Sequence, residues 1–242
     1  MTDLLAMPED WDRALAIVAH PDDMEYGAAG AVAAWTKAGK EVAYLMVTRG
    51  EAGIDTLAPE EAIPVREREQ RASAAIVGVD TVEFLDHRDG VVQAGLDLRR
   101  DLAAAIRRHR PELVVTLNRR EHFQPGGWNS ADHRAVGESV LDAAADAGNR
   151  WIFPELVEQG LEPWKGLRWV ALAASPVSTH AVDITGTLED AVASLTAHRA
   201  YIAALTEEDP EQYARGFLQT IAGAAGERLG VRYATAFELV SV

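Results

Sequence analysis

The sequence predicts an α/β fold, in which a mostly parallel sheet carries helices on both faces. Short apolar runs alternate with longer amphipathic ones through the first 150 residues, and no internal repeat is visible. Of the 242 residues, 48% are apolar, which is enough for a sizeable core. We expect one Rossmann-like domain, in which residues 1–150 form the core and residues 151–242 complete the sheet and wall the site.

Four short runs in the first part have the composition of strands that are covered on both faces. These predicted parallel strands are residues 14–18, 42–47, 82–85 and 113–117. Helical spacing marks the segments between and after them, and each ends at a glycine or before a proline. The predicted helices are residues 28–38, 63–77, 96–110 and 131–147.

The pattern is looser after residue 149. We expect strands at residues 168–173, 181–184 and 233–240, and a helix at residues 188–205. Residues 48–62 and 118–130 have no assignment and are longer than typical connections in this fold class. Long ordered loops are usually functional, so both are candidates for the site.

Charge and composition exclude several classes of function. Lys and Arg number 23 against 38 Asp and Glu, a net charge of −15, which argues against nucleic acid or an anionic membrane as partner. The absence of cysteine excludes disulfides, zinc ribbons, iron–sulfur clusters and thiol catalysis, so a metal must be bound by His, Asp or Glu. No signal-peptide pattern or long apolar run is present, so we expect a cytoplasmic protein, with a homo-oligomer left open.

Polar side chains follow the first and the fourth predicted strands. His20 and Asp23 are three residues apart across a turn, which allows both to bind one metal ion. A third ligand is available where Asp132 and His133 begin the fourth helix. If the sheet is doubly wound, these two strands are neighbours, and their carboxyl ends meet at the place where such sheets bind ligands.

The set His20, Asp23 and His133 would leave one coordination position open, as in catalytic zinc sites. Asp22 would then lie beside the metal and accept a proton from water. The alternatives are that the two adjacent acids cap a helix, and that Asp132 and His133 are a cap and a surface histidine.

Further motifs in the same chain resemble those of the PIG-L or LmbE-like zinc de-N-acetylases, which act on N-acetylglucosamine-type groups. The first, residues 20–25, reads His-Pro-Asp-Asp-Met-Glu and is the most specific. The others are Gly27 and Gly30, residues 48–53, Arg66 and Glu69, residues 78–79, residues 89–90 and residues 132–134. The resemblance covers about residues 14–140 and is weaker from there to His198.

The resemblance implies one zinc ion per chain bound by His20, Asp23 and His133, with Asp22 as the general base. It also implies that Arg66 and Asp89 face an amino-sugar substrate. The expected reaction is hydrolysis of an N-acyl group, in the simplest case acetyl, by water on the metal. The same chemistry leaves open an amidase for a thiol-conjugated amino sugar, and a deacylase for a glycosylated natural product.

We also assign Glu25, Arg49 and Trp128 to substrate binding. Arg49 lies in the long segment after the second strand, and the alternative is that it only pairs with Glu51 in a turn. Trp128 could stack on a sugar ring, and the alternative is that it packs its own loop.

One position departs from the family pattern. The family usually has His-x-Asp-His before the fourth helix, in which the Asp orients the first His and that His polarises the reacting carbonyl. Here the first position is Ser130, although Asp132 is retained. We expect His122 to replace the missing catalytic group, with His180 as second choice. If nothing replaces it, a metal-dependent carbohydrate-binding protein with little turnover is the alternative.

Overall fold

The computed structural model describes residues 3–123 and 127–242. In this part of the chain, eight strands form one sheet. The strands are β1 (Leu5–Ala6), β2 (Arg13–Val18), β3 (Glu41–Met46), β4 (Thr81–Phe84), β5 (Leu113–Leu117), β6 (Trp169–Ala173), β7 (His180–Asp183) and β8 (Ala234–Ser241). Their order across the sheet is β1-β7-β8-β6-β5-β2-β3-β4.

Five neighbouring strands, from β4 through β3, β2 and β5 to β6, are parallel. Strand β8 runs antiparallel to both of its neighbours, β6 and β7, and β1 pairs in parallel with β7. The predicted parallel strands are confirmed. The predicted contact between the first and fourth of them is confirmed as well, because β2 pairs with β5 through Ala14 and Leu113.

Alternating residues of β2 show why the sheet has helices on both faces. Ala16 and Val18 belong to one apolar cluster, whereas Leu15 and Ile17 belong to a second cluster on the opposite face. All four are fully buried, as expected for a strand of a parallel sheet that is covered on both sides. The helices are α1 (Asp23–Gly27), α2 (Ala29–Lys37), α3 (Pro59–Ile76), α4 (Leu96–His109), α5 (Ala131–Ala147), α6 (Pro154–Glu158), α7 (Leu188–Thr196), α8 (Arg199–Leu205) and α9 (Pro210–Leu229).

The helices divide between the two faces. Helices α4 and α5 contribute their apolar side chains to the cluster of Leu15, whereas α2, α7 and α9 contribute theirs to the cluster of Ala16. This arrangement confirms the α/β class that the sequence predicts. No helix in the described ranges combines the length and the apolar composition needed to span a membrane.

The second part of the chain differs from the prediction in three respects, of which the first is the short helix α6, which the prediction lacks. The expected helix at residues 188–205 is two helices, α7 and α8, which meet at a fully buried His198. Helix α9, with 20 residues, is absent from the prediction. Most of its buried residues are small, such as Ala214 and Ala222, so its apolar periodicity is weak.

Candidate metal centre and active site

The candidate site lies at the carboxyl edge of the parallel strands. His20 follows β2, Asp89 lies in the connection after β4, and His133 is in the first turn of α5, which follows β5. These three strands run in the same direction, so the segments that follow them meet at one edge. The site is therefore where an open α/β sheet places its ligands.

Three side-chain atoms converge there in the geometry of a metal site. His133 Nε2 lies 2.9 Å from Asp23 Oδ1 and 3.2 Å from His20 Nδ1. His20 Nδ1 in turn lies 3.6 Å from the other carboxylate oxygen of Asp23, Oδ2, so the three side chains form a triangle. Ligands bound tetrahedrally at about 2.0–2.2 Å lie about 3.4 Å apart. The predicted trio thus has the separation and the donor types of a group that could hold a metal ion.

The tautomer of His20 is fixed by two carboxylates. His20 Nε2 lies 3.1 Å from Asp89 Oδ1 and 3.2 Å from Asp132 Oδ2. Ionised carboxylates only accept hydrogen bonds, so Nε2 keeps its proton, and Nδ1 is the nitrogen that would give up its proton and offer a lone pair to a metal in the triangle. Burial alone would lower the pKa of His20, but Asp23, Asp132 and Asp89 outweigh it and raise this pKa well above its usual value.

Asp132 is itself held by the backbone. Its two carboxylate oxygens accept hydrogen bonds from Gly90 N at 2.7 Å and Val92 N at 3.0 Å, and the residue is 1% exposed. The structure therefore brings Asp132 to His20, as a group that orients this ring.

His133 is oriented in the same way by Asn129. Asn129 Nδ2 donates to the carbonyl oxygens of Asn118 and Arg120, at 2.6 and 2.9 Å, so its Oδ1 must face the other way. That oxygen lies 3.0 Å from His133 Nδ1 and accepts its proton. His133 Nε2 is therefore free to bind a metal. Sequence reasoning missed Asn129, although it lies in the unassigned segment 118–130.

Asp22 is buried beside the triangle and paired with Arg66. Its Oδ2 accepts from Arg66 Nη2 at 2.7 Å, and the same nitrogen donates to Pro21 O at 2.7 Å. Burial raises the pKa of Asp22, and the negative charge of Asp23 raises it further. Together they outweigh the lowering effect of Arg66, so this pKa lies above its usual value. A carboxyl group with a raised pKa is suited to accept and return a proton.

Negative charge exceeds positive charge in the site. Asp22, Asp23, Asp89 and Asp132 converge there, and the guanidinium of Arg66 pairs with Asp22. Burial alone would raise the pKa of Asp23, but His133 and His20 outweigh it and lower this pKa far below the usual range. This charge balance, together with the donor triangle, fits a bound divalent cation.

Three residues assigned to substrate binding have other surroundings in the structure. Glu25 is 0% exposed and accepts from Gln70 and Ser73, which argues against contact with a substrate. Arg66 is 1% exposed and holds Asp22, while its guanidinium lies 4.0 Å from the ring centre of Tyr201. Arg49 pairs with Glu67 and Asp86 at the surface rather than with Glu51.

Trp128 is 64% exposed, and the guanidinium of Arg134 lies over its ring, 5.0 Å from the ring centre. It pairs with His122 in an isolated bridge, and their rings meet edge to face at 5.1 Å. His122 thus lies against Trp128, and in the described part of the chain it is in neither group of metal-ligand side chains. Phe123 is instead the residue of this loop whose ring contacts His133. Residues 124–126 of the unassigned segment 118–130 lie outside the described residues.

Ser130 has a structural task. It is the N-cap of α5, and its hydroxyl accepts from the backbone N–H groups of Asp132 and His133 at 3.1 and 3.4 Å. His180, the second expected replacement, lies at the start of β7 with Nδ1 2.9 Å from Thr179 Oγ1. Neither residue is placed at the metal triangle.

Gln70 and Tyr201 are further neighbours of Asp22 that sequence reasoning missed. Gln70 lies one helical turn after Arg66 and accepts the Asp22 N–H at 2.7 Å, so helical spacing from Arg66 could have indicated it. Tyr201 comes from α8 and covers Arg66, and no signal near the motifs points to it. A surface cleft of about 640 Å³ lies elsewhere, beside Trp151 and Lys165, and shares no residue with this site.

The chain is similar in sequence to proteins that are described as deacetylases. A family model described as PIG-L, GlcNAc-PI de-N-acetylase, matches residues 15–144, more than half of the chain. The chain is 27% identical over 237 residues to the diacetylchitobiose deacetylase of Thermococcus kodakarensis, covering 96% of this chain and 84% of that protein. It is 30% identical over 138 residues to a probable N-acetyl-alpha-D-glucosaminyl L-malate deacetylase 2 of Bacillus anthracis, covering 54% of this chain and 58% of that protein.

The fold is also shared with a solved deacetylase. The N,N'-diacetylchitobiose deacetylase from Pyrococcus horikoshii, solved with an inhibitor, superposes with a TM-score of 0.84 at 27% identity. The match covers 96% of this chain and 84% of that one. The resemblance that residues 20–25 indicated is confirmed by these matches, and so is the fold class.

Proposed function

Because this chain belongs to the PIG-L, GlcNAc-PI de-N-acetylase, family, we propose that it hydrolyses the N-acetyl group of an amino sugar or an amino-sugar conjugate. The observation that carries the proposal is the triangle of His20 Nδ1, Asp23 and His133 Nε2 with the buried Asp22 beside it. The relatives support it, since their names describe deacetylases of diacetylchitobiose and of an N-acetylglucosaminyl malate.

We propose zinc as the metal, one ion per chain, bound by His20, Asp23 and His133. Two neutral imidazoles and one carboxylate suit zinc and leave a coordination position open. When bound, zinc supplies Lewis acidity, which polarises a carbonyl group and promotes ionisation of water near neutral pH. Asp89 and Asp132 hold His20 in the required tautomer, and Asn129 does the same for His133.

Asp22 is the proposed general base. Its carboxylate accepts a proton from the attacking water and can return that proton to the amine that leaves. Arg66 keeps one of its oxygens fixed at 2.7 Å, which leaves the other oxygen for proton transfer. Burial excludes bulk water from this carboxylate, whose side chain is 6% exposed.

The proposed substrate contacts are Trp128 and Arg49 at the surface of the site. The exposed Trp128 ring is suited to stack on a sugar face, and Arg49 can donate hydrogen bonds to hydroxyl groups. The side chain of Asp89 is 8% exposed. If Asp89 contacts the substrate, it does so while it also contacts His20. We propose that Glu25 and Arg66, which are enclosed, act through Asp22.

The remaining role is that of the hydrogen-bond donor to the oxyanion that forms from the reacting carbonyl. The Ser130 hydroxyl is occupied as a helix cap, so it does not take the place of the family histidine. His122 is our candidate from the sequence, and it requires a movement away from Trp128 to reach the substrate.

Acetate release tests the proposed function. Protein stripped with a chelator and then reconstituted with zinc is incubated with N-acetylglucosamine, N,N'-diacetylchitobiose, a thiol-conjugated amino sugar and an acylated glycopeptide. We expect zinc-dependent release from at least one of them, and a loss of several orders of magnitude in Asp22→Asn with zinc retained. Asp97→Asn, at a side chain that is 84% exposed, is the matched control and should keep full activity.

The substrate that is hydrolysed distinguishes the narrower alternatives of thiol-conjugate amidase and glycosylated-product deacylase. Loss of zinc from Asp22→Asn would show that the roles of Asp22 and Asp23 are exchanged. If one equivalent of zinc binds and no substrate is cleaved, the carbohydrate-binding alternative is favoured, and the capping role of Ser130 is the observation behind it.

A further inference from the structure

Helix α3 has a stripe of buried polar side chains on one face. Arg66, Gln70 and Ser73 are spaced by four and then three residues, and they are 1%, 0% and 0% exposed. The buried face of a helix is ordinarily apolar, since each buried polar group requires a partner. Apolar packing therefore does not account for this stripe.

All three side chains contact the segment that contains Asp22. Arg66 Nη2 donates to the Asp22 carboxylate at 2.7 Å. Gln70 Oε1 accepts the Asp22 backbone N–H at 2.7 Å, and Ser73 Oγ donates to Glu25 Oε1 at 2.6 Å. The helix thus contacts both the side chain and the backbone of the proposed base.

Asp22 needs such support because its backbone is in the left-handed region. Its φ is 84° and its ψ is −20°, a conformation that residues other than glycine rarely adopt. Strained residues of this kind persist where surrounding contacts fix them, and they occur frequently at active sites. The hydrogen bond to Gln70 satisfies the Asp22 N–H in this conformation.

Glu25 determines which way the Gln70 amide points. Gln70 Nε2 donates to Glu25 Oε1 at 3.1 Å, and a carboxylate can only accept, so the amide oxygen must face Asp22. Glu25 is held in turn by Ser73, and Nε2 of the buried His198 lies 3.5 Å from Glu25 Oε2 without forming a hydrogen bond. The hydrogen bonds form a chain from Ser73 through Glu25 and Gln70 to Asp22.

We propose that Gln70 is a positioning residue, which holds Asp22 in its left-handed conformation and so directs the carboxylate, with Glu25 fixing the Gln70 amide. The inference rests on the proposed function, because Asp22 is the base there. Glu25 then acts on Asp22 through the Gln70 amide.

Four variants test the proposal. Gln70→Leu removes the acceptor for the Asp22 N–H, and Gln70→Glu retains an acceptor but faces Glu25 with a second carboxylate. Glu25→Gln alone removes the charge that orients Gln70. The double variant Gln70→Glu with Glu25→Gln exchanges the two groups, so it restores one carboxylate and one amide at the original net charge. Ser139→Ala, a buried serine on α5 that makes no contact with this chain of residues, is the control.

For each zinc-loaded variant we measure kcat, KM and the amount of bound zinc. We also determine its crystal structure. We expect Gln70→Leu and Gln70→Glu to lose about 100-fold in kcat with KM and zinc stoichiometry unchanged, the loss typical of a displaced catalytic group. In their crystals Asp22 should leave the left-handed region or rotate its carboxylate. The exchange variant should recover most of the kcat, which a merely destabilised fold would not do.

Full kcat in Gln70→Leu, or an Asp22 that stays unmoved in its crystal structure, would overturn the inference. No recovery in the exchange variant would overturn the part assigned to Glu25. If Gln70→Leu fails to fold, Gln70→Glu and the exchange variant decide the question. If the unmodified protein releases no acetate, the proposed function fails, and the position of Asp22 in the crystals still decides whether Gln70 holds it.

Discussion

Replacing Arg66 with leucine should destabilise the protein strongly. The guanidinium is 1% exposed and the Asp22 side chain is 6% exposed, so the replacement leaves a buried carboxylate without its partner. Breaking a buried ion pair in this way costs about 3–5 kcal/mol. For a chain of this size about 1 kcal/mol corresponds to 2–4 °C in Tm, which gives an expected loss of about 6–20 °C.

The assay is thermal and urea unfolding of the metal-free protein, followed by circular dichroism. Arg49→Leu is the matched control, because Arg49 pairs with Asp86 and Glu67 at the surface. Surface pairs contribute about 0–1 kcal/mol, so this control should unfold close to the unmodified protein. The double variant Arg66→Leu with Asp22→Asn removes the unpaired charge and should regain a substantial part of the loss.

Two results would refute this reasoning. Equal stability of Arg66→Leu and Arg49→Leu would mean that the buried pair contributes no more than a surface pair. The second result is that the double variant, Arg66→Leu with Asp22→Asn, is no more stable than Arg66→Leu. The loss of stability would then come from lost packing against Tyr201 rather than from the unpaired charge on Asp22.

Three further predictions concern the metal, the packing and the loop. Asn129→Leu should weaken zinc affinity about 10–100-fold by competition with a chelator, because His133 loses the partner that fixes its tautomer, and unchanged affinity would contradict this role. Gly137→Ala should destabilise by about 1–3 kcal/mol, since its Cβ would lie 2.8 Å from a backbone oxygen of β5. Gly216→Ala, with open space at the Cβ position in α9, should stabilise by about 0.5–1 kcal/mol, and urea unfolding that ranks the two variants otherwise would contradict the packing. Because His122 is the candidate donor to the oxyanion, His122→Ala should lower kcat about 100-fold, and an unchanged kcat would show that its ring stays on Trp128 and takes no part in the reaction.

The sequence by itself determined the parallel strands and the meeting of the candidate metal-ligand residues. Apolar runs identify β2 and β5, and the rule that parallel strands share a carboxyl edge then places His20 beside His133. These inferences succeed because they depend on local periodicity and on one general property of α/β sheets. Helix α9 was not predicted because its buried face consists mostly of small residues, which contribute little to the apolar periodicity.

Only the tertiary structure decided which partners orient those residues. Arg66 and Gln70 reach Asp22 from 44 and 48 positions away, and nothing in local sequence distinguishes a buried arginine from one in an exposed charge run. The surroundings of Glu25 depend likewise on the packing of α7 and α8 against α3. The donor atoms of the site follow from short motifs, whereas their tautomers, charges and directions are set by side chains that only folding brings into contact.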